Sequence, residues 1–220
     1  MSIESKIHEL QRTLPEGVTL VAVSKTYPAE DILQAYRAGQ RIFGESRPQE
    51  LAAKHEALPA DIRWHMIGHL QTNKVKYIAP FVELIHSADS ARLLETIDRE
   101  AAKNGRTIDV LLEIHVAREE SKHGWSYAEL NDYLGSGAYR RLEHVRFRGV
   151  MGIATNTDDM QTVHDEFTQL ARCFDRLRHD FFSESFDTLS MGMTSDYPQA
   201  VACGSNMVRI GSYIFGSRSY

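Results

Sequence analysis

Ser190-Met-Gly-Met-Thr-Ser-Asp196, followed by Gly204-Ser-Asn-Met-Val-Arg-Ile-Gly-Ser-Tyr-Ile-Phe-Gly216, decides the fold. The two segments read as consecutive strand–loop–helix units. Thr188–Ser190 is a short strand, Gly192 opens a turn, and Asp196–Cys203 is a short helix with Pro198 in its first turn. Met207–Ile210 is the next strand, and Gly211-Ser212 leads into another turn. Small and hydroxylated residues therefore sit where both strands end. Such loops let backbone N–H groups and hydroxyls converge on a phosphate, because glycine permits close approach and a helix start favours an anion. In a parallel eight-stranded barrel, the loops after strands seven and eight are the usual phosphate cradle.

Upstream, the chain repeats the same unit. A leading helix over Ser2–Leu14 precedes the apolar strand Thr19–Ser24, which has the continuous hydrophobicity of a strand buried on both faces. A helix then runs from Pro28 to Gly39. Strands are expected at Arg41–Gly44, Arg63–Gly68, Val82–His86, Ile108–Val116 and Val145–Ile153. Between them, helices are expected over Pro48–Leu58, Thr72–Ala79, a segment capped by Asp89 or Ser90, and Tyr127–Leu134. Thr157 or Asp158 caps the most periodic helix, with Met160, Val163, Phe167, Leu170, Phe174 and Leu177 three and four apart. Eight strand-then-helix units predict an α/β fold, a single (β/α)8 TIM barrel with an extra N-terminal helix, occupying residues 1–220 as one domain. An open doubly wound sheet is the competing topology, but no Gly-x-Gly-x-x-Gly follows the first strand.

Composition narrows the function. At 220 residues and 42% hydrophobic, the chain is long enough for one buried core. A net charge of −5 provides no general basic field for nucleic acid or anionic membrane. No apolar run approaches the roughly 18–20 residues of a bilayer crossing, and the N-terminal mixture of charged and apolar residues does not read as a signal peptide. Two cysteines in helix-like stretches argue against a disulfide scaffold, so a cytoplasmic location is expected.

Two cations carry the chemical interest. Lys25 follows the first strand and reads either as an amine able to form a Schiff base with an aldehyde or as a solvated surface lysine. Its competitor, Lys122, sits in the charged loop 118–124 and reads as offered to water or to the loop's own carboxylates. Arg209 lies inside the strand Met207–Ile210. It either points inward toward an anion or ring nitrogen, or outward to a helix acid. His65 and His69 have a His-x-x-x-His spacing, but one lies in a strand and the other in a loop, so no metal is assigned. Glu45 and Glu50 do not read as a catalytic pair from spacing.

Several stretches, taken together, resemble one family. They are Val21-Ala-Val-Ser-Lys25, Phe43-Gly-Glu45, Trp64-His65, Ile67-Gly68, Leu70-Gln-Thr-Asn-Lys74, Arg148-Gly-Val-Met151, Leu189-Ser-Met-Gly-Met193 and Met207-Val-Arg-Ile-Gly211. In this order, the chain resembles the YggS/PROSC family of pyridoxal 5′-phosphate (PLP) homeostasis proteins over essentially its whole length. The resemblance implies a fold type III PLP barrel like the N-terminal domain of alanine racemase. It implies a Schiff base on Lys25, a phosphate held by Ser190, Gly192, Gly211 and Ser212, and Arg209 facing the pyridine nitrogen, which weakens the ring as an electron sink. The sequence departs from the family at Ser46, where an asparagine near the coenzyme is usual, and at His69, where proline is common.

The resemblance also implies a binding protein that buffers or delivers PLP to client enzymes without strong catalysis; a barrel of this length without an evident extra interface helix is expected to be a monomer. Racemases of this fold use an opposed tyrosine from a further domain, and none is expected here. Loss of such a base removes about 10²- to 10⁴-fold. The alternatives are a PLP enzyme acting on a small amino acid and, more remotely, a Schiff-base aldolase acting on a phosphorylated sugar.

Overall fold

A computed structural model describes residues 1–119 and 123–216; Lys122 lies outside them. Eight parallel strands close into a barrel in chain order: β1 (Thr19–Val23), β2 (Ile42–Glu45), β3 (Arg63–Met66), β4 (Leu84–Ala88), β5 (Ile108–Glu113), β6 (Val145–Met151), β7 (Thr188–Ser190) and β8 (Met207–Ile210). Closure is made by β8 against β1, with Thr19 opposite Met207 and Ala22 opposite Ile210. Helix α1 (Ile3–Thr13) precedes the barrel, and α2 (Ala29–Arg37), α3 (Pro48–Ala57), α4 (Ala91–Lys103), α5 (Tyr127–Gly135), α6 (Met160–Asp180), α7 (Tyr197–Ala202) and α8 (Ser212–Phe215) surround it. Among the described residues, no helix is long and apolar enough to cross a membrane.

The helix stripes explain how the wall is held. The α6 stripe buries Val163, Phe167, Leu170, Phe174 and Leu177 on the outer sheet face. Each such side chain contributes about 1.5–3 kcal/mol relative to exposure. The barrel interior has a separate small apolar layer of Val21, Leu84, Leu111, Met151 and Met207. Met207 and Arg209 share a strand face, so the inward position of Met207 places Arg209 inward as well.

Several of the expected elements need adjustment. The segment expected as a helix over Thr72–Ala79 is a 3₁₀ turn over Thr72–Tyr77, consistent with Thr72 and Asn73 being poor helix formers in a six-residue piece. β4 begins at Leu84, because Val82 still belongs to the preceding turn, where its N–H donates to Ile78 O at 2.8 Å. β5 and β6 stop before Val116 and Ile153, and β3 stops before Gly68. Val116, Ile153 and Ile67 stay apolar beyond these ladders because they wall a cavity at the strand ends. The α6 cap is Asp159, whose carboxylate accepts from Gln161 N–H at 3.1 Å, one or two residues past the expected cap.

Candidate functional site

The barrel mouth is built around the turn that follows β1. Lys25 is half-buried two residues beyond the strand, and Thr26 next to it has φ +72°, a left-handed conformation that is rare for a threonine. Such strain persists only where the surroundings over-determine it, and here a buried ionic clamp does so. The Ser24 hydroxyl donates to Glu45 Oε1 at 2.6 Å, and Thr26 N–H donates to Glu50 Oε1 at 2.6 Å. The Lys54 ammonium donates to Glu45 at 2.8 Å, to Glu50 at 2.7 Å and to Ser24 O at 2.8 Å. Both neighbours of Lys25 are thus tied to α3 and β2. Burial outweighs the pull of Lys54 and pushes the Glu45 carboxyl up to about 7. Opposite, the Tyr27 hydroxyl donates to Gly216 O at 2.5 Å and its ring stacks on Phe215, joining this turn to α8.

Lys25, Ser46, Arg209, Gly211 and Ser212 line one cavity of about 290 Å³ at the strand ends, with Thr194 and Ser195 beside them. Two glycines make these approaches possible. A Cβ on Gly211 would stand 3.0 Å from Val23 O, and one on Gly68 would stand 2.6 Å from Ser46 O. Gly211 N–H also points to Thr194 Oγ1 at 3.4 Å. A second space of about 260 Å³ shares Lys25, Ser46, Ile67 and Ile153, and continues to His69, Glu113, His115 and His123. His69 Nδ1 stands 3.0 Å from Asp89 Oδ2, and its ring stacks on His123. Glu113 is 8% exposed, and burial together with the charge of Asp89 pushes its carboxyl up to about 7 against the pull of Arg209.

Ser190 and Gly192 do not line either space. The Ser190 hydroxyl is buried beneath Arg209, whose Nη1 donates to it at 2.7 Å and to Ser190 O at 2.9 Å, while Nη2 donates to Gly152 O at 3.0 Å. Gly192 has φ +97°, accepts from Arg209 N–H at 2.9 Å, and is packed so closely that a Cβ would meet Ala200 Cβ at 2.6 Å. Both therefore hold Arg209 and α7 in place rather than facing the cavity. Burial lowers the Arg209 pKa to about 10, so it remains a cation and donor near neutrality.

Below Arg209, a polar column continues through the barrel. Ser190 Oγ lies 3.1 Å from His86 Nδ1, and His86 Nε2 lies 3.0 Å from His65 Nδ1. Ser190 Oγ accepts from Arg209 and keeps its own proton and one lone pair for His86. When the Ser190 proton goes to His86 Nδ1, His86 carries its proton on Nε2 and donates to His65, whose own proton then sits on Nε2; the reverse chain uses the same distances. Burial holds both imidazoles well below their usual range, His65 down to about 4. The sequence does not link His65 to His86, which lie on different strands. Nor does it single out Lys54, whose only local sign is its i,i+4 spacing from Glu50.

A parallel barrel with a lysine, an inward arginine and hydroxylated loops at its mouth places the chain in the alanine racemase N-terminal domain class, whose family description matches residues 1–219. Within that class, the chain belongs to the family of pyridoxal phosphate homeostasis proteins. The pyridoxal phosphate homeostasis protein of Pasteurella multocida is 37% identical over 233 residues, covering 100% of this chain and 99% of that one. Its counterpart in Escherichia coli K12 is 37% identical over 210 residues, covering 94% and 88%. PipY of Synechococcus elongatus, solved with PLP bound, superposes with a TM-score of 0.88 at 37% identity, covering 98% of this chain and 100% of that one. The alanine racemase of E. faecalis, at 17% identity and a TM-score of 0.71 over 98% of this chain and 58% of that one, shares the fold.

Proposed function

We propose that the mouth of this barrel binds PLP, held as a Schiff base on Lys25, and that the protein buffers the coenzyme and delivers it to PLP-dependent client enzymes. The amine of Lys25 condenses with the aldehyde carbon, a C=N bond forms, and water leaves. The observation that carries this reading is the convergence of Lys25, the buried donor Arg209, and the hydroxyls of Thr194, Ser195 and Ser212 on one 290 Å³ cavity. Val23, Ile67 and Ile153 supply apolar wall for a flat ring. The residues therefore match the coenzyme in kind: an amine for the aldehyde, hydroxyls and backbone N–H groups for the phosphate, and a guanidinium for the ring nitrogen. Bound PLP supplies an electron-accepting ring, and a donor-only arginine at its nitrogen leaves that sink weak. In this reading the protein acts in the cytoplasm, as a monomer, with residues 1–220 forming one coenzyme-binding domain.

Lys25→Ala abolishes the visible absorbance of protein reconstituted with PLP; full absorbance in that variant removes Lys25 from the site. A second reading, proton abstraction from a small amino acid, is favoured by Glu113, a buried carboxyl pushed up to about 7 in the adjoining space. Loss of the α-proton into deuterated water, tested across amino acids, separates the two. No exchange supports the carrier, and exchange abolished by Glu113→Gln supports the enzyme.

A further inference from the structure

The opposite end of the barrel also contains a cavity, of about 470 Å³, formed where the strands begin rather than where they end. Its walls include the guanidiniums of Arg63, Arg106, Arg146 and Arg148 against the carboxylates of Glu83 and Asp109. Much of this charge is engaged locally. Arg63 holds Glu83 through two nitrogens, Arg146 Nε donates to Asp109 at 2.6 Å, and Arg106 caps Ala79 O and Val82 O at 2.6 and 2.8 Å. Arg148 Nη2 donates to both oxygens of Asp187 at 2.8 and 2.9 Å and leaves Nε unused. Two buried donors that wall the cavity have no acceptor among the described residues: Arg148 Nε and His65 Nε2. His65 is 1% exposed, and its Nε2 is a donor when the column above it runs from Ser190 through His86 to His65. A buried N–H without an acceptor costs about 1–3 kcal/mol, so two on one cavity, within an excess of positive charge, call for an acceptor there.

We propose that this cavity binds a small oxyanion, a phosphate or a carboxylate, received by His65 Nε2–H and Arg148 Nε–H. The site is separate from the coenzyme mouth and does not depend on the assignment of PLP. Charge-assisted hydrogen bonds from a guanidinium are about twice as strong as neutral ones, which makes Arg148 the main anchor. Arg146 lends positive charge from the adjoining wall through the nitrogens it does not use on Asp109. An acceptor on His65 Nε2 also fixes the tautomers of His65 and His86, and with them the direction in which Ser190 supports Arg209 at the mouth. Occupancy of one end of the barrel is thereby felt at the other through four side chains.

The test is a long-range 1H–15N spectrum of the imidazoles in 15N-labelled, PLP-loaded protein at pH 7.5. Inorganic phosphate and then malonate are titrated separately at constant ionic strength. Expected are neutral Nε2–H tautomers for both buried histidines and a saturable movement of the His65 signal with one or both ions. The more effective ion identifies the phosphate or carboxylate class. Arg148→Gln weakens that binding about tenfold. If Arg148→Gln does not fold, Arg146→Gln replaces it and weakens binding in the same direction. A His65 signal indifferent to both ions overturns the proposal, as does binding unchanged in a folded arginine variant, because an ion acting from the mouth through the column would not depend on Arg148 or Arg146. Should PLP fail to load, the His65 signal still reports this site, so the two assignments fail separately.

Discussion

The two ends of the barrel treat charge in opposite ways. At the floor, guanidiniums stand against carboxylates on exposed strand starts, as in Arg63–Glu83 and Arg148–Asp187. At the mouth, the cations are buried. Arg209 is held by Ser190 and the Gly152 carbonyl, and Lys54 is enclosed by Glu45, Glu50 and Ser24 O. Exposed pairs of the first kind contribute little, about 0–1 kcal/mol, because water competes for them. Buried pairs of the second kind cost desolvation, and removing one partner strands the other. The difference teaches where stability is spent on position: the mouth holds Lys25 and Arg209 at the expense of buried charge, while the floor holds the strand starts at little cost.

The sharpest way to break this contrast is Lys54→Met. It leaves Glu45 and Glu50 without their shared ammonium and Ser24 O without its donor, so the chain loses about 3–5 kcal/mol in urea unfolding. A loss under about 1 kcal/mol would place the clamp on a par with a surface pair.

Glu113→Gln tests the cost of a buried acid from the other side. An acid whose folded-state pKa is raised binds its proton more tightly when folded. Its contribution is complete below about 4.5 and is lost as pH rises toward about 7. The glutamine removes that loss, so above pH 7 the variant gains stability, up to about 3 kcal/mol, and its profile between pH 4.5 and 7 is flatter. A parallel profile in the variant would assign the carboxyl an ordinary pKa.

Ser212→Ala probes the cavity rather than the scaffold. PLP affinity falls by about 1–3 kcal/mol if the hydroxyl donates to phosphate, with unfolding unchanged; equal affinity removes Ser212 from the cradle. Arg63→Gln has the smallest effect. It severs the Glu83 pair, with Arg63 and Glu83 side chains 55% and 36% exposed, and changes stability by less than about 1 kcal/mol.

Much of this was legible in the sequence, for a physical reason. Strands buried on both faces read as unbroken apolar runs, and β7 and β8 fell at their expected residues because small mouth residues bound them so closely. The apolar signal overran β5 and β6 because cavity walls are apolar too. At the mouth, Lys25, Ser46, Gly211 and Ser212 line the cavity, since a residue just past a strand end has little choice of direction. Ser190 carried no such guarantee. As the last residue of β7 its side chain can face in or up, and alternation alone does not decide between Arg209 and a ligand. The Glu45–Lys54–Glu50 clamp and the His65–His86 pair join residues on different elements, which no local pattern announces.

The most direct test of the central claim is borohydride reduction of the PLP-loaded protein followed by peptide mapping. The account predicts a single pyridoxyl group on the peptide containing Lys25, with the visible band lost on reduction. A label on another lysine, or a protein that stays colourless with excess PLP, would contradict it.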